Sequence, residues 1–329
     1  MRHITVGLYA TPSDKEFLEF MRNRAEEAVD VVLVDRTQSV EEQVAVSRDV
    51  EIMVPFHAPL SMGLIQGCAK LKLIQVMGAG TDNLDKAALA AMGIAVANSG
   101  GANSVAVAEH AIMLMIMVYR KVRHQILDVL EGSWSHRIRD SYPIHEFHEL
   151  TGKTVGIVAA GNIGRNVARR LSGWDCRLVY TDPRPVPVQL ERELGLTRAG
   201  LAELLRMSDV VTLHVPLTAR SRGMIGRHEL EMMKPTAILV NTCRGAVVDE
   251  KALYEALRSR RILGAGLDVT EEEPTPVDNP LLKLDNVVVT PHLAGYTIEW
   301  YRKGLAFAVE NAARVSRSEQ PLCLVGVDE

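Results

Sequence analysis

The 329-residue chain lacks the features that would point at once to a scaffold, a membrane or a nucleic acid. Its four cysteines, Cys68, Cys176, Cys243 and Cys323, form no C-x-x-C pair and no metal-ligand spacing. That argues against a disulfide framework, gives no reason to expect a metal, and fits a reducing compartment. Neither sign of charge predominates, with 37 basic and 41 acidic residues and a net charge of −4. The basic clusters "RHQ" and "RSRR" read as solvated helix faces, so no nucleic-acid partner is expected. No apolar run approaches the roughly 20 residues of a membrane span. The most apolar stretch, "AIMLMIMVY", is preceded by Glu109 and His110 and reads as a buried interdomain or subunit-contact helix. The first residues run into a polar-flanked strand, "HITVGLY", with no signal-peptide pattern, so a cytoplasmic location without membrane attachment is expected. No internal repeat or low-complexity segment stands out.

What is present is the composition of a soluble globular protein, 47% hydrophobic and 24% charged, in a chain longer than one typical domain. Short β-branched runs alternate with helical patterns, which predicts an α/β fold with parallel sheets. The first series of strands is "ITVGLY", "VVLVD", "EIMVP", "LKLIQVM" and "IAVANS". A long helical region over about residues 102–131 follows, and then a second series: "TVGIVA", "RLVYTD", "VVTLHVP", "AILVNT", "GAGLDV" and "NVVVTPH". Two series predict two domains. The final helical segment from Thr297 has no strand of its own to cover, so it is expected to pack back on the first domain.

The stretch "TVGIVAAGNIG", residues 154–164, resembles a dinucleotide-binding loop, G-x-G-x-x-G, with one glycine missing. Gly161 and Gly164 occupy the second and third glycine places, and Ala159 occupies the first. A methyl group is tolerable there if φ stays negative, which is the expectation for Ala159. The loop lies between a strand and a helical pattern, so helix N-terminal N–H groups and the helix dipole would face a pyrophosphate. Alone it is weak. The next strand ends in Asp182, 21 residues beyond Gly161, which is the spacing expected of the acid that binds the adenosine ribose. A carboxylate there favours NAD over NADP, although Arg184, two residues on, would suit a 2′-phosphate.

Further along, three segments place charged or titratable side chains at strand ends, where ligands of open α/β sheets bind. Arg244 in "NTCRGAVVDE" can clamp a carboxylate and polarise a carbonyl, with Gly245 expected to leave room for substrate. Asp268 ends the strand of "GAGLDVTEEEP", and one of Glu271, Glu272 and Glu273 can point into the site. His292 in "TPHLAG" can titrate near neutrality, and a carboxylate partner would make it a general acid/base.

These segments, with "VMGAGTDNLD" and "NSVAVAEHA", stand in an order and spacing that resembles the D-isomer-specific 2-hydroxyacid dehydrogenase family over nearly the whole chain. The resemblance implies two Rossmann-like or flavodoxin-like domains. A substrate domain would be made of residues 1–98 and 297–329, with an inserted cofactor domain at 99–296. It implies Arg244, Glu273 and His292 as catalytic residues, with His292 donating a proton and Glu273 raising its pKa. Gly161, Asn162, Ile163, Gly164, Asp182, His214, Val215, Pro216, Thr242, Cys243, Arg244, His292 and Gly295 would line NAD, with Asp268 on the carboxamide. The backbone of Gly78, Ala79 and Gly80 would hold the substrate carboxylate together with Arg244 and His292. The expected activity is hydride transfer between NAD(H), less readily NADP(H), and a small 2-oxo or D-2-hydroxy acid such as hydroxypyruvate or glyoxylate. A 3-phosphoglycerate-type substrate and an NAD-sensing binding protein are the alternatives. A homodimer is expected, with "AIMLMIMVYRKV" and "HRIRDSYPIHEF" as candidate interface segments. Cys243, where Ser or Ala is common, is read as a packing variant or an oxidation-sensitive thiol. Met77 is read as a residue shaping the substrate pocket.

Overall fold

The computed structural model describes residues 1–56, 58–134 and 142–327. The first part of "HRIRDSYPIHEF", up to Ser141, lies outside the described residues. The chain divides into two compact units, one of Met1–Asn103 with Tyr296–Glu329 and one of Ser104–Gly295.

The first unit is built on five strands, β1 (Ile4–Ala10), β2 (Val29–Asp35), β3 (Val50–Pro55), β4 (Leu73–Gln75) and β5 (Ala95–Ala97). They pair in parallel in the order β2-β1-β3-β4-β5, a flavodoxin-like doubly wound sheet. Their residues are apolar on both faces because helices cover both sides. On one side Ile4, Val6, Leu8, Ile52 and Val54 pack with Tyr301, Leu305, Ala308 and Ala312 of the Ile298–Ser316 helix. That helix is pinned by a buried pair, Asn311 Nδ2 donating to Gln75 Oε1 at 2.6 Å. The last helix therefore covers the first sheet.

The second unit carries β6 (Thr154–Val158), β7 (Arg177–Thr181), β8 (Leu196–Arg198), β9 (Val210–Leu213), β10 (Ile238–Asn241), β11 (Gly264–Leu267) and β12 (Val287–Val289). All pair in parallel in the order β12-β11-β10-β9-β6-β7-β8. Counted from β6 this is the doubly wound order 3-2-1-4-5-6 with a seventh strand added, and its direction reverses between β6 and β9. That is the switch point at which such sheets bind dinucleotides. Strand β8 is absent from the expectations above, since "LTR" is three residues long and has no apolar run to announce it.

The long helical region is broken. One helix spans Ser104–Tyr119, a second spans Val122–Leu130, and Lys121 between them has φ 50. The first is buried on several sides, with Ala108, Ala111, Leu114 and Met115 fully enclosed. No helix among the described residues is long and apolar enough to cross a membrane.

Candidate active site

The loop after β6 departs from expectation at its first residue. Ala159 follows the strand directly, its N–H reaching Thr181 of β7 at 2.8 Å, but its φ is +74, not negative. The backbone takes the left-handed turn that glycine usually supplies, and alanine bears the strain. The cause lies at Gly164. A Cβ there would stand 2.3 Å from the Ala159 carbonyl oxygen and 2.9 Å from Ile157 Cγ2, so the helix is drawn tightly against the strand. Close approach at Gly164 dictates the sharp turn, whatever residue occupies position 159.

The Asn162–Leu171 helix begins at Gly161 with no side chain capping it, leaving its positive end facing the switch point. Asp182, just beyond β7, braces this loop. Its Oδ2 accepts from Ala160 N at 3.0 Å and its Oδ1 from Arg184 N at 2.9 Å. From β8, Arg198 donates to the Asp182 backbone carbonyl at 3.0 Å and holds the turn from the other side.

Across the switch point, two buried polar atoms have no partner: His214 Nδ1 beyond β9 and Thr242 Oγ1 beyond β10. Burial drives the His214 pKa down to about 3, so the ring is neutral, and its Nε2 meets Thr212 Oγ1 at 3.0 Å. Buried polar atoms without a partner are costly. Here they stand at strand ends beside an uncapped helix terminus, which is the donor and acceptor set a dinucleotide would satisfy. The residues present therefore fit a nicotinamide cofactor.

Arg244 follows β10 in extended conformation, with its main-chain carbonyl held by Asn241 Nδ2 at 2.9 Å and its own Nη1 on the Cys243 carbonyl at 2.7 Å. Gly245 has a different purpose from the one expected. A Cβ there would lie 1.9 Å from Thr270 O and 2.4 Å from Glu271 N. The glycine lets the Arg244 turn press against the turn after β11; it does not leave room for substrate. Cys243 is likewise no redox-sensitive thiol. It is buried against Asn241 Oδ1 at 3.0 Å, and burial pushes its pKa up to about 11, leaving an inert packing group.

The turn after β11 carries Glu273, whose Oε1 accepts from Thr270 N at 3.2 Å. Its Oε2 meets His292 Nδ1 at 2.7 Å. Of the three acids, it is Glu273 that pairs with the histidine. The hydrogen bond to Glu273 holds the His292 pKa above its ordinary value, against opposition from burial and the nearby Arg244. Burial pushes Glu273 upward, but the His292 hydrogen bond and charge, with help from Arg244, leave its carboxyl below the usual range. The two shifts favour the charged pair, and Arg244 is close enough to influence both.

His292 sits in the left-handed region at φ 53, a conformation costing on the order of 1–3 kcal/mol that the surroundings must impose. Asp268 imposes it. Its backbone carbonyl accepts from His292 N at 2.8 Å, and its fully buried carboxylate accepts from Leu293 N at 3.0 Å and Ala294 N at 2.7 Å. Thr290 Oγ1 donates to the same carboxylate at 2.6 Å, and His110 Nε2 meets Thr290 Oγ1 at 2.9 Å. His110 and Thr290 stand inside segments quoted above, yet their sequence signal is no different from that of ordinary helix and strand-end residues. Val215, Pro216 and Gly295 occupy the turns beside His214 and His292.

In the first unit, the segment Gly78, Ala79 and Gly80 follows β4. Ser99 Oγ donates to the Gly78 carbonyl at 3.3 Å and Asn98 Nδ2 to that of Ala79 at 3.3 Å. Met77 is a packing residue, not a pocket-shaping one. It is buried against Gly304, with its Cε 2.8 Å from the place a Cβ there would occupy, and its carbonyl accepts from Trp300 Nε1 at 2.8 Å.

Comparison with known proteins agrees with this geometry. The profile of the D-isomer specific 2-hydroxyacid dehydrogenase NAD binding domain matches residues 112–294. A glyoxylate reductase of Korarchaeum cryptofilum is 40% identical over 267 residues, covering 81% of this chain and 80% of that one. A D-3-phosphoglycerate dehydrogenase of Archaeoglobus fulgidus is 38% identical over 292 residues, 89% of this chain. The chain spans about half the length of that relative, 54%. Among solved structures, an acyclic imino acid reductase in complex with NADPH and D-arginine matches with a TM-score of 0.80 at 27% identity, over 98% of this chain and 100% of that one. The matched profile covers more than half of the chain and contains the loop, Asp182, Arg244, Glu273 and His292. The chain belongs to the D-isomer specific 2-hydroxyacid dehydrogenase family.

Proposed function

We propose that the protein is an oxidoreductase that interconverts a small 2-oxo acid and its D-2-hydroxy acid, with hydroxypyruvate or glyoxylate as the leading substrate. The observation that carries this reading is the 2.7 Å contact between His292 Nδ1 and Glu273 Oε2 beside Arg244. The nicotinamide supplies or accepts the hydride when bound. Glu273 holds His292 as imidazolium through Nδ1, which leaves Nε2–H to donate to the substrate carbonyl oxygen as reduction proceeds. Arg244 orients the substrate carboxylate and polarises the carbonyl, because a guanidinium offers paired donors to two oxygens. In the other unit, the backbone of Gly78, Ala79 and Gly80 is assigned to the substrate carboxylate.

NAD is the preferred cofactor because Asp182, already fixed by two backbone N–H groups, retains acceptor capacity for ribose hydroxyls and repels a 2′-phosphate. The solved imino acid reductase holds NADPH, and Arg184 and Arg198 lie near Asp182, so both cofactors belong in the test. Gly161, Asn162, Ile163 and Gly164 are assigned to the pyrophosphate. His214, Val215, Pro216 and the segment Thr242, Cys243 and Arg244 are assigned to the cofactor's flank. The carboxamide role that the resemblance implies for Asp268 does not fit a carboxylate that is fully buried and already taken by Thr290, Leu293 and Ala294, so His292 and Gly295 are assigned to complete the lining.

A homodimer is proposed on the Val122–Leu130 helix and not on "AIMLMIMVYRKV", whose Ala111, Ile112, Leu114, Met115, Val118 and Tyr119 are buried. None of the Val122–Leu130 residues is buried, and the apolar Ile126, Leu127, Val129 and Leu130 are 51%, 41%, 57% and 76% exposed. A cytoplasmic location follows from the same reading. The test is a panel of glyoxylate, hydroxypyruvate, pyruvate and phenylpyruvate with NADH and NADPH, and of 3-phosphoglycerate with NAD+ and NADP+ in the oxidative direction, run on wild type and His292→Ala. Turnover of small 2-oxo acids that is lost in His292→Ala while NADH still binds supports the reading. Unchanged kcat in the variant removes His292 from the mechanism.

A further inference from the structure

The Glu273 contact accounts for one ring nitrogen of His292 but not for the unusual backbone that aims the ring. That backbone is set by Asp268, whose carboxylate is wholly enclosed and gathers the N–H groups of Leu293 and Ala294. One further link fixes the carboxylate itself. Thr290 has a single hydroxyl hydrogen, and at 2.6 Å from Asp268 Oδ1 that hydrogen is given to the carboxylate. His110 Nε2, 2.9 Å from the same hydroxyl oxygen, must then be the donor to it. His110 Nε2 therefore carries a hydrogen, and burial lowers the pKa of the ring against the pull of Asp268, 3.4 Å away.

We propose that His110 and Thr290 are positioning residues for His292. They form a directed chain from His110 Nε2–H to the Thr290 hydroxyl to the Asp268 carboxylate, which locks the strained turn that presents the proton-donating ring. The chain ties the Ser104–Tyr119 helix to the turn after β12. Unlike Glu273, neither residue is hydrogen-bonded to the His292 ring; each bonds instead within the Asp268 web. Removing the hydroxyl deprives Oδ1 of its shortest partner, frees the carboxylate to turn, and loosens the grip on the turn that holds His292 against Glu273. The charged groups facing His292 are Glu273, Arg244 and Asp268. A ring less well seated on Glu273 loses the contact that raises its pKa.

This inference rests on the reading of His292 as proton donor, and the test separates the two. Thr290→Val, Thr290→Ser, His110→Leu and His292→Ala are compared as purified full-length chains, with NADH binding followed by fluorescence. Thr290→Val and His110→Leu are expected to lower kcat by about tenfold, since a displacement of about 1 Å in a reacting group costs up to ~100-fold. Both should shift the alkaline limb of the kcat/KM profile for reduction to lower pH, with NADH affinity kept. Thr290→Ser, which restores the hydroxyl, should return both kcat and the limb. Wild-type kcat and limb position in both Thr290→Val and His110→Leu overturn the proposal. So does a Thr290→Ser variant as impaired as Thr290→Val, because shape and not the hydroxyl would then matter. If His292→Ala retains turnover, the proton-donor reading itself falls and takes this inference with it.

Discussion

Replacing Ala159 by glycine is expected to stabilise the second unit, and the size of the effect follows from the backbone. Position 159 has φ +74, where an L-residue bears a cost of roughly 1–2 kcal/mol that glycine avoids. Against this, glycine adds freedom to the unfolded chain, worth about 0.4–1 kcal/mol in the opposite direction. The net gain is about 0.5–1 kcal/mol, and at ~2–4 °C per kcal/mol for a domain of this size the unit should melt about 1–4 °C higher. The paired variant Gly164→Ala runs the other way. Its Cβ would stand 2.3 Å from the Ala159 carbonyl, and neither strand nor helix can yield, so a loss of about 1–3 kcal/mol or more is expected. Scanning calorimetry on the full chain without cofactor measures both, with the two units allowed separate transitions. An Ala159→Gly variant that melts at or below the wild-type temperature would falsify the claim that Ala159 bears left-handed strain. A Gly164→Ala variant that melts like wild type would refute the origin given for that strain.

The pH profile offers a second test. The Glu273 hydrogen bond raises the His292 pKa, so the imidazolium needed for reduction is complete below that raised value and is lost as pH climbs through it. Glu273→Gln removes the charge, so the alkaline limb of kcat/KM should move to lower pH; a limb that stays put would show that another group titrates there. Gly245→Ala brings a Cβ to 1.9 Å from Thr270 O, so the turns after β10 and β11 must separate. Loss of most turnover and a stability drop of about 1–3 kcal/mol or more are expected, read by kinetics and thermal melting. Leu130→Glu on the exposed apolar face of the Val122–Leu130 helix should yield monomers by light scattering, and an unchanged mass would place any interface elsewhere.

The architecture was legible because its signals are local and repeated. Eleven apolar runs named from the sequence coincide with strands, since a strand buried on both faces must be apolar throughout. Strand β8 escaped because Leu-Thr-Arg holds a single apolar residue, and the break at Lys121 escaped because a left-handed residue in an otherwise helical run leaves no periodic trace. Arg244, Glu273 and His292 were legible as motif positions. Asp268 was legible too, as a strand-end acid, but its link to His110 and Thr290 was not, because the three meet only when distant segments fold together.

By itself, then, the sequence of this protein determined the two sheets, the family and the acid, base and arginine at strand ends. These depend on residue type, period and spacing along the chain. Only the tertiary structure decided that Ala159 takes the left-handed turn, that Gly245 serves a backbone crossing, and that Cys243 is inert. It alone also decided that His292 is held by a buried web centred on Asp268. Those outcomes depend on how closely separate segments approach, and a clash at 1.9 Å or a hydrogen bond at 2.6 Å exists only once both partners are in place.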